Sequence, residues 1–300
     1  MVRFGLLYTA FVILPQILFA DVLVTTWNMK WFPSGKAEVR NEQDVEETTI
    51  KRAGTVFRNA YDEQCRKSDA AIVVFSQEMR DAESCTNFID ATGLADSGLK
   101  LACVSNFKDN GGVPLWQQVA IMTSLPVIDS GFALWSRSNG VSIPRGFAHA
   151  LLDGGDGGLI ICFSLHLKSN LNWGGTEFEK QKNMYKREAA AGQILEVVKR
   201  MQEKYPDRQL RVLVGGDFNT DDDDMQYVSE ATLRAFFGAH FRSCFRDLKK
   251  EQKITHPACG GYPDATFDYI LYRGFERIVS RKIYSGAGVS DHNLVALRLR

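Results

Sequence analysis

Leu210-Arg211-Val212-Leu213-Val214-Gly215-Gly216-Asp217-Phe218-Asn219 sets the pattern for the whole chain. Its short apolar run reads as a strand covered on both faces. The two glycines let backbone pass close to a neighbour or ligand. Asp217 and Asn219 then follow at the strand end, one residue apart, so an extended chain points both to the same side. The pattern recurs in both directions. Asn28 follows Val22–Trp27, Glu78 follows Ala70–Ser76 through Gln77, and His166 follows Leu159–Leu165. Asp268 opens the run to Tyr272, and Ser290-Asp291-His292 precedes Asn293–Leu299. Polar residues at so many strand ends predict one site assembled from several strands. Acids, amides and two histidines in such a site suit metal-assisted hydrolysis of a phosphate ester.

Between these runs the spacing predicts helices over Glu38–Gln64 and Glu177–Lys204, the second stopped by Tyr205-Pro206. Shorter helices are expected at Ala82–Ala91 and Met225–Phe237. Further strands are expected at Leu99–Ser105, Gln118–Thr123, Val127–Trp135, Gly146–Leu152 and Arg277–Tyr284. The run Asp153-Gly154-Gly155-Asp156-Gly157-Gly158 marks a hairpin before Leu159. Each half runs strands, long helix, strands. That order suits two sheets packed face to face with helices outside, an α/β class. There is no linker, and Asp221–Asp224 reads as a solvated acidic loop, so residues 21–300 read as one domain.

The chain has 300 residues and 45% hydrophobic content, enough for a large core. Lys+Arg and Asp+Glu are equal at 36 each. Neutrality weighs against a tightly held polyanion, although a local basic stripe can coexist with it. Residues 1–20 stand apart. Arg3 precedes the apolar stretch Phe4–Phe19, and Ala20 precedes Asp21. This reads as an export signal cleaved near Ala20, giving a secreted or periplasmic protein. An uncleaved anchor or a buried strand are the alternatives. Export permits disulfides among the six cysteines. Cys244–Cys259 is the favoured pair, then Cys65–Cys85, with Cys162 a buried thiol. No Cys-x-x-Cys spacing occurs, which argues against zinc.

The ordered set Asn28, Gln77-Glu78, His166, Gly216-Asp217-Phe218-Asn219, Asp268 and Ser290-Asp291-His292 resembles the endonuclease/exonuclease/phosphatase superfamily, which includes pancreatic-type deoxyribonucleases and neutral sphingomyelinases. The resemblance spans nearly all of residues 21–300. It implies a four-layer α/β/β/α sandwich of two mixed, mainly antiparallel sheets flanked by helices. It implies metal ligation by Glu78, Asn28 and Asp291, with Mg²⁺ as cofactor and Mn²⁺ able to substitute. It implies catalytic roles for His166, Asp217, Asn219, Asp268 and His292. His292 and Asp268 would form a His–Asp couple, His166 would stabilise or protonate the reacting oxygens, and Asn219 would also contact the phosphate. Either Asp217 or the His–Asp couple would be the general base. Arg145 and Lys168 would bind substrate phosphate, with Ser169 beside them.

His149, His240 and His256 match no motif and read as structural. Trp31 and Trp173 sit in loops after catalytic strands, where exposed rings would suit base stacking. The export signal and the His166-Leu167-Lys168-Ser169 segment favour a secreted, monomeric nuclease with nucleic acid as substrate and no membrane insertion after cleavage. A phosphatase or a sphingomyelinase-like phospholipid phosphodiesterase is the alternative. Ala265-Thr266-Phe267-Asp268 lacks the pattern of the inositol phosphatases, and Ala133–Ile143, with Arg137 and Ser138, makes a poor membrane-contacting hairpin. A non-catalytic binding module on the same scaffold should have lost some of these polar positions, and none is lost.

Overall fold

A computed structural model describes residues 21–36, 40–65, 70–155, 157–170 and 176–300. The expected export signal, the expected helix start at Glu38 and Trp173 lie outside them. In chain order the elements are β1 Val22–Phe32, α1 Gln43–Cys65, β2 Ala71–Met79, α2 Ala82–Thr92, β3 Lys100–Val104, β4 Gln118–Thr123, β5 Val127–Leu134, β6 Gly146–Asp153 and β7 Leu159–His166. There follow α3 Glu177–Lys204, β8 Leu210–Asp217, α4 Thr232–Gly238, β9 Arg242–Ser243, β10 Asp268–Arg273, β11 Ile278–Tyr284 and β12 Leu294–Leu299.

Two six-stranded sheets result, ordered β11-β12-β1-β2-β4-β3 and β5-β6-β7-β8-β10-β9. Among the described strands only β1–β2 and β7–β8 pair in parallel. A parallel pair needs a long crossover, and here each is joined by one of the two long helices, α1 and α3. The expected four-layer sandwich of mixed, mainly antiparallel sheets is therefore the fold.

Alternation along the strands builds the layers. On β2, Val73 and Phe75 face the other sheet in the central core, whereas Ile72 and Val74 pack outward with Ala53 and Phe57 of α1 and Phe88 of α2. Ala190, Ile194 and Val198 of α3 cover the far sheet. Thr176 caps α3 by accepting from Glu179 N, and the helix ends at Lys204 as its sequence indicates.

Local expectations fail at one helix, one acidic loop and two cysteine pairings, and one short strand is unexpected. The expected helix over Met225–Phe237 is a short 3-10 turn followed by α4. The connecting Glu230 is drawn into a buried ion pair with Arg187 of α3 and accepts from Thr232 Oγ1. Asp221 is not a solvated loop residue. It is buried, accepting from Thr266 N and Asp223 N. Strand β9 has only two residues, too few to show a period. All six cysteines are free thiols. Cys244 is sealed in the core with its Sγ on Ile270 N, whereas Cys259 is exposed, so the expected pair does not form. Cys65 and Cys85 are likewise free.

The two sheets approach closely below the strand ends that carry the polar residues. A Cβ placed on Gly215 of β8 would lie 2.0 Å from Phe75 Cδ2 of β2. Glycine at that position lets the sheets close. Gly215→Ala is expected to destabilise the protein by about 1–3 kcal/mol, the usual cost of overpacking a core. Adding Phe75→Leu should recover part of the loss, because contacting residues couple. Urea denaturation of both variants checks this. A fully stable Gly215→Ala protein would contradict the close approach.

Candidate active site

Register places three of the polar residues side by side. His166 of β7 is paired with Asp217 of β8, and Asp217 with Asp268 of β10. Asp217 lies two residues beyond Gly215, which faces Phe75 of the other sheet, so its side chain projects between the sheets. From the opposite sheet, β1 brings Asn28 and β2 brings Glu78. Both strands are irregular there. Their mutual register shifts between Asn28 and Phe32, and the β2–β4 register shifts between Gln77 and Met79. Lys30, Trp31 and Glu78 have positive φ values of 47°, 51° and 58°. Irregularities of this kind re-aim side chains, and left-handed non-glycine residues cluster at functional sites.

Asn28 joins the two sheets. Its Nδ2 donates to Glu78 Oε1 at 3.2 Å and to Asp217 Oδ2 at 3.0 Å. Its Oδ1 accepts from Lys30 N. Trp31 N donates to the other Glu78 oxygen. The Trp31 ring is half-buried rather than fully exposed. Asp217 Oδ1 accepts from Asn219 N, while the Asn219 amide donates to Leu167 O. Below lies a buried polar layer in which Thr26 donates to Gln77, and Gln77 to Ser164 on the facing sheet.

The two histidines have opposite electrostatics. His292 Nδ1 is 2.7 Å from Asp268 Oδ2, and its Nε2 lies 4.0 Å from Asp217 Oδ2. Burial alone would discharge this imidazole. The charge and hydrogen bond of Asp268, then Asp217 and Asp291, instead push its pKa up to about 10. His166 Nε2 lies 3.5 Å from Asp217 Oδ2 and 3.9 Å from Glu78 Oε1. Burial, then Arg145, His292 and Lys168, hold His166 well below the usual imidazole range. Asp217 is pushed up to about 7. Burial is the main cause, and Asp268 adds to it against the pull of His292 and Asn28.

The loop that carries Ser290-Asp291-His292 is stitched to β1. Ser290 Oγ donates to Asn28 O and accepts from His292 N, and Trp27 Nε1 donates to His292 O. Trp27 is thus a buried support. Arg145 Nη2 donates to Leu167 O, and Nη1 to Gln117. Burial lowers its pKa, and the charges of Glu78 and Asp217 oppose that. Lys168 folds its ammonium onto Ser169 O and Oγ, and burial and neighbouring cations lower its pKa. Arg187 donates to Lys168 O and fixes that loop. Three buried polar atoms here have no partner: His166 Nδ1, Arg145 Nε and Asp268 Oδ1.

Asn28, Glu78, His166, Asp217, Asp268 and His292 thus converge, with Asn219, Arg145 and Lys168 tied to the same Leu167–Ser169 segment. Asp291 points elsewhere. Its carboxylate pairs with Lys30 Nζ at 2.9 Å and lies within 4.8 Å of ligand atoms on His256 and Cys259. Burial would raise the Asp291 carboxyl, but Lys30 and His292 hold it below the usual range. Sequence reading missed His256, whose ring meets that of His292 edge-on with centroids 4.8 Å apart. No motif marks it, because its place depends on how the 256–265 hairpin folds back. A cavity of about 530 Å³, lined by Arg211, Arg242, Arg273 and Arg300, lies away from the site at the opposite ends of β8 and β10.

The profile of the Endonuclease/Exonuclease/phosphatase family matches residues 26–292. No curated protein matches the chain. Among solved structures, TDP2 from Caenorhabditis elegans is 16% identical with a TM-score of 0.59, covering 93% of this chain and 74% of its own. An endonuclease/exonuclease/phosphatase from Bacteroides vulgatus is 15% identical with a TM-score of 0.61, covering 94% and 99%. One from Beutenbergia cavernae is 15% identical with a TM-score of 0.59, covering 94% and 72%. At these identities the likeness is one of fold.

The raised His292 pKa ties stability to pH. An imidazole with pKa about 10 in the fold, against ~6.5 unfolded, contributes stability that is fully present below ~6.5. That contribution is lost as pH rises toward 10. Asp268→Asn is expected to bring the His292 titration down and to flatten the loss across this window. Histidine NMR titration and urea midpoints of metal-free protein check both. An unchanged His292 titration in the variant would refute the pairing.

Proposed function

The chain belongs to the endonuclease/exonuclease/phosphatase family and is a phosphoester hydrolase of that fold, and we propose that it is an exported, Mg²⁺-dependent nuclease. The observation that carries the hydrolytic reading is the meeting of the Asp268–His292 pair with Asp217, Glu78 and Asn28 from two sheets.

The family's enzymes depend on a divalent metal, and the acidic and histidine groups that meet here fit one, with ligand atoms of Asp217, Asp268 and His292 all within 4.8 Å of one another. Glu78 and Asp217 converge on a single amide proton donor, and buried carboxylates so placed call for a cation. Their hard oxygens suit Mg²⁺. Glu78 would hold it with Asn28, whose amide would turn its oxygen inward. Asp291 would have to leave Lys30 to join them. The bound cation would supply positive charge to the phosphate oxygens.

The chain's own groups supply the rest. Asp268 fixes the His292 ring so that Nε2 faces Asp217 and the site. The resulting imidazolium places a positive charge and a proton at Nε2, suited to a developing oxyanion. Asp217 is left as the carboxylate that accepts a proton from the attacking water. His166 is neutral, and a proton on Nε2 is the tautomer that suits its two carboxylate neighbours. Arg145 offers a guanidinium fork for phosphate, and Lys168 lies on the same loop for a flanking phosphate. Two cations beside the reacting centre suit a polyanionic chain in a protein of zero net charge. Export rests on Arg3 and the apolar run Phe4–Phe19 ahead of the domain at 21–300. Among the described residues no helix is long and apolar enough to cross a membrane.

Residues 21–300 should cleave plasmid DNA, single-stranded DNA or RNA with Mg²⁺ or Mn²⁺ and lose activity in EDTA. His292→Ala and Asp217→Ala should each lose at least ~10²-fold in rate while melting as cooperative folds. Cleavage of only sphingomyelin or bis-p-nitrophenyl phosphate would move the protein to the phospholipid phosphodiesterase branch. Retention of most activity in either variant would reject the site.

A further inference from the structure

The hairpin at 256–265 holds an imidazole and a thiol over the rim of the site. His256 N donates to Ala265 O, and Ala265 N donates back to His256 O. Three residues on, Cys259 and Tyr262 exchange the same pair of bonds across Gly260 and Gly261, whose φ values are 56° and 88°. Two positive φ values are what a tight two-residue hairpin turn needs. Asp264 Oδ1 accepts from Ala258 N and braces the span. His256 and Cys259 are therefore positioned by backbone pairing. Cys259 Sγ lies 3.8 Å from His256 Nε2. The chain end then brings Asp291 alongside, so that one ligand atom from each of the three lies within 4.8 Å of the others.

We propose that His256, Cys259 and Asp291 form a zinc site at the rim of the hydrolytic centre, separate from the oxygen-ligand site at Glu78. Thiolate, imidazole and carboxylate are zinc's ligand types, and three of them leave the fourth tetrahedral position to water. Zn–S and Zn–N bonds at tetrahedral angles place sulfur and nitrogen about 3.6 Å apart, close to the spacing already present. A thiolate selects against Mg²⁺, which separates this site from the other in metal preference. On binding, the Cys259 thiol releases its proton to solvent. His-x-x-Cys supplies the two ligands that a search for Cys-x-x-Cys passes over, and the fold supplies the third from 32 residues beyond Cys259.

Two consequences follow from position. The zinc would hold Asp291, which now pairs with Lys30, and would sit on His256, whose ring abuts His292. Occupancy should therefore inhibit hydrolysis. This inhibition rests on the function proposed above, whereas the binding itself does not.

Cys259 is the one exposed cysteine of the six. Four are buried and Cys103 is half-buried, so a sulfur-ligated metal reports on Cys259. The test titrates reduced, EDTA-stripped full-length protein with Co²⁺ and then displaces it with Zn²⁺. A thiolate-to-cobalt charge-transfer band is expected, abolished in Cys259→Ser and kept in Glu78→Gln. His256→Gln should weaken binding by at least the ~10–100-fold that even outer-ligand substitutions cost. Because Cys259 is exposed, Cys259→Ser should melt like the parent. In the hydrolysis assay it should keep its Mg²⁺-supported rate and resist Zn²⁺. No charge-transfer band in the parent protein would mean that the pair is only a thiol–imidazole hydrogen bond, and would overturn the proposal. Equal zinc affinity in Cys259→Ser would overturn it too. A band without any hydrolysis would keep the zinc site and fail only the nuclease reading.

Discussion

One side-chain amide spans the gap on which the site depends. Asn28 Nδ2 reaches Glu78 of its own sheet and Asp217 of the facing sheet within 3.2 Å. A hydrogen bond has no reach to spare, so the spacing of the two sheets must be held closely here. Gly215 against Phe75 provides a close approach two residues below Asp217. The rest follows from strand order. Register sets His166 and Asp268 on either side of Asp217, and the Ser290–His292 loop closes over them through its bonds to Asn28 and Trp27. A small shift between the sheets would separate the groups donated by β1 and β2 from those donated by β7, β8 and β10.

The same geometry gives two like side chains unlike charges. His292 has a carboxylate at bonding distance on Nδ1 and others beyond Nε2, so it keeps its proton despite burial. His166 is also buried, and that burial, with the charges of Arg145, His292 and Lys168, keeps it neutral beside its two carboxylate neighbours. One imidazole is thus a cation and the other a neutral donor on either side of Asp217. Their environments push the two titrations apart, which is how a site assigns acid and base work.

Much of this was legible in the sequence because it rests on short-range rules. Apolar runs ending in polar residues marked the strands, and α3 kept its expected limits. The two long helices were expected, and each joins one of the two parallel pairs that the structure adds. The residues of the centre were found because each sits at a strand end with its own local signature. What escaped depends on tertiary contact. The pairing of Glu230 with Arg187 broke an apparent helix, and Asp221 was taken inward by Thr266. Asp291 turned to Lys30, and His256 reached His292 only because a hairpin folds back. The cysteines misled because an even count says nothing about which sulfurs meet.

The proposed function requires strand ends from two sheets to build one metal-centred hydrolytic site. The measurement to make is an anomalous-difference map of Mn²⁺-soaked crystals. A peak is expected about 2.0–2.3 Å from a Glu78 carboxylate oxygen, between the sheets and facing His292 Nε2. A map with its peak elsewhere, or with Glu78 and Asp217 unchanged and no ion between the sheets, would contradict it.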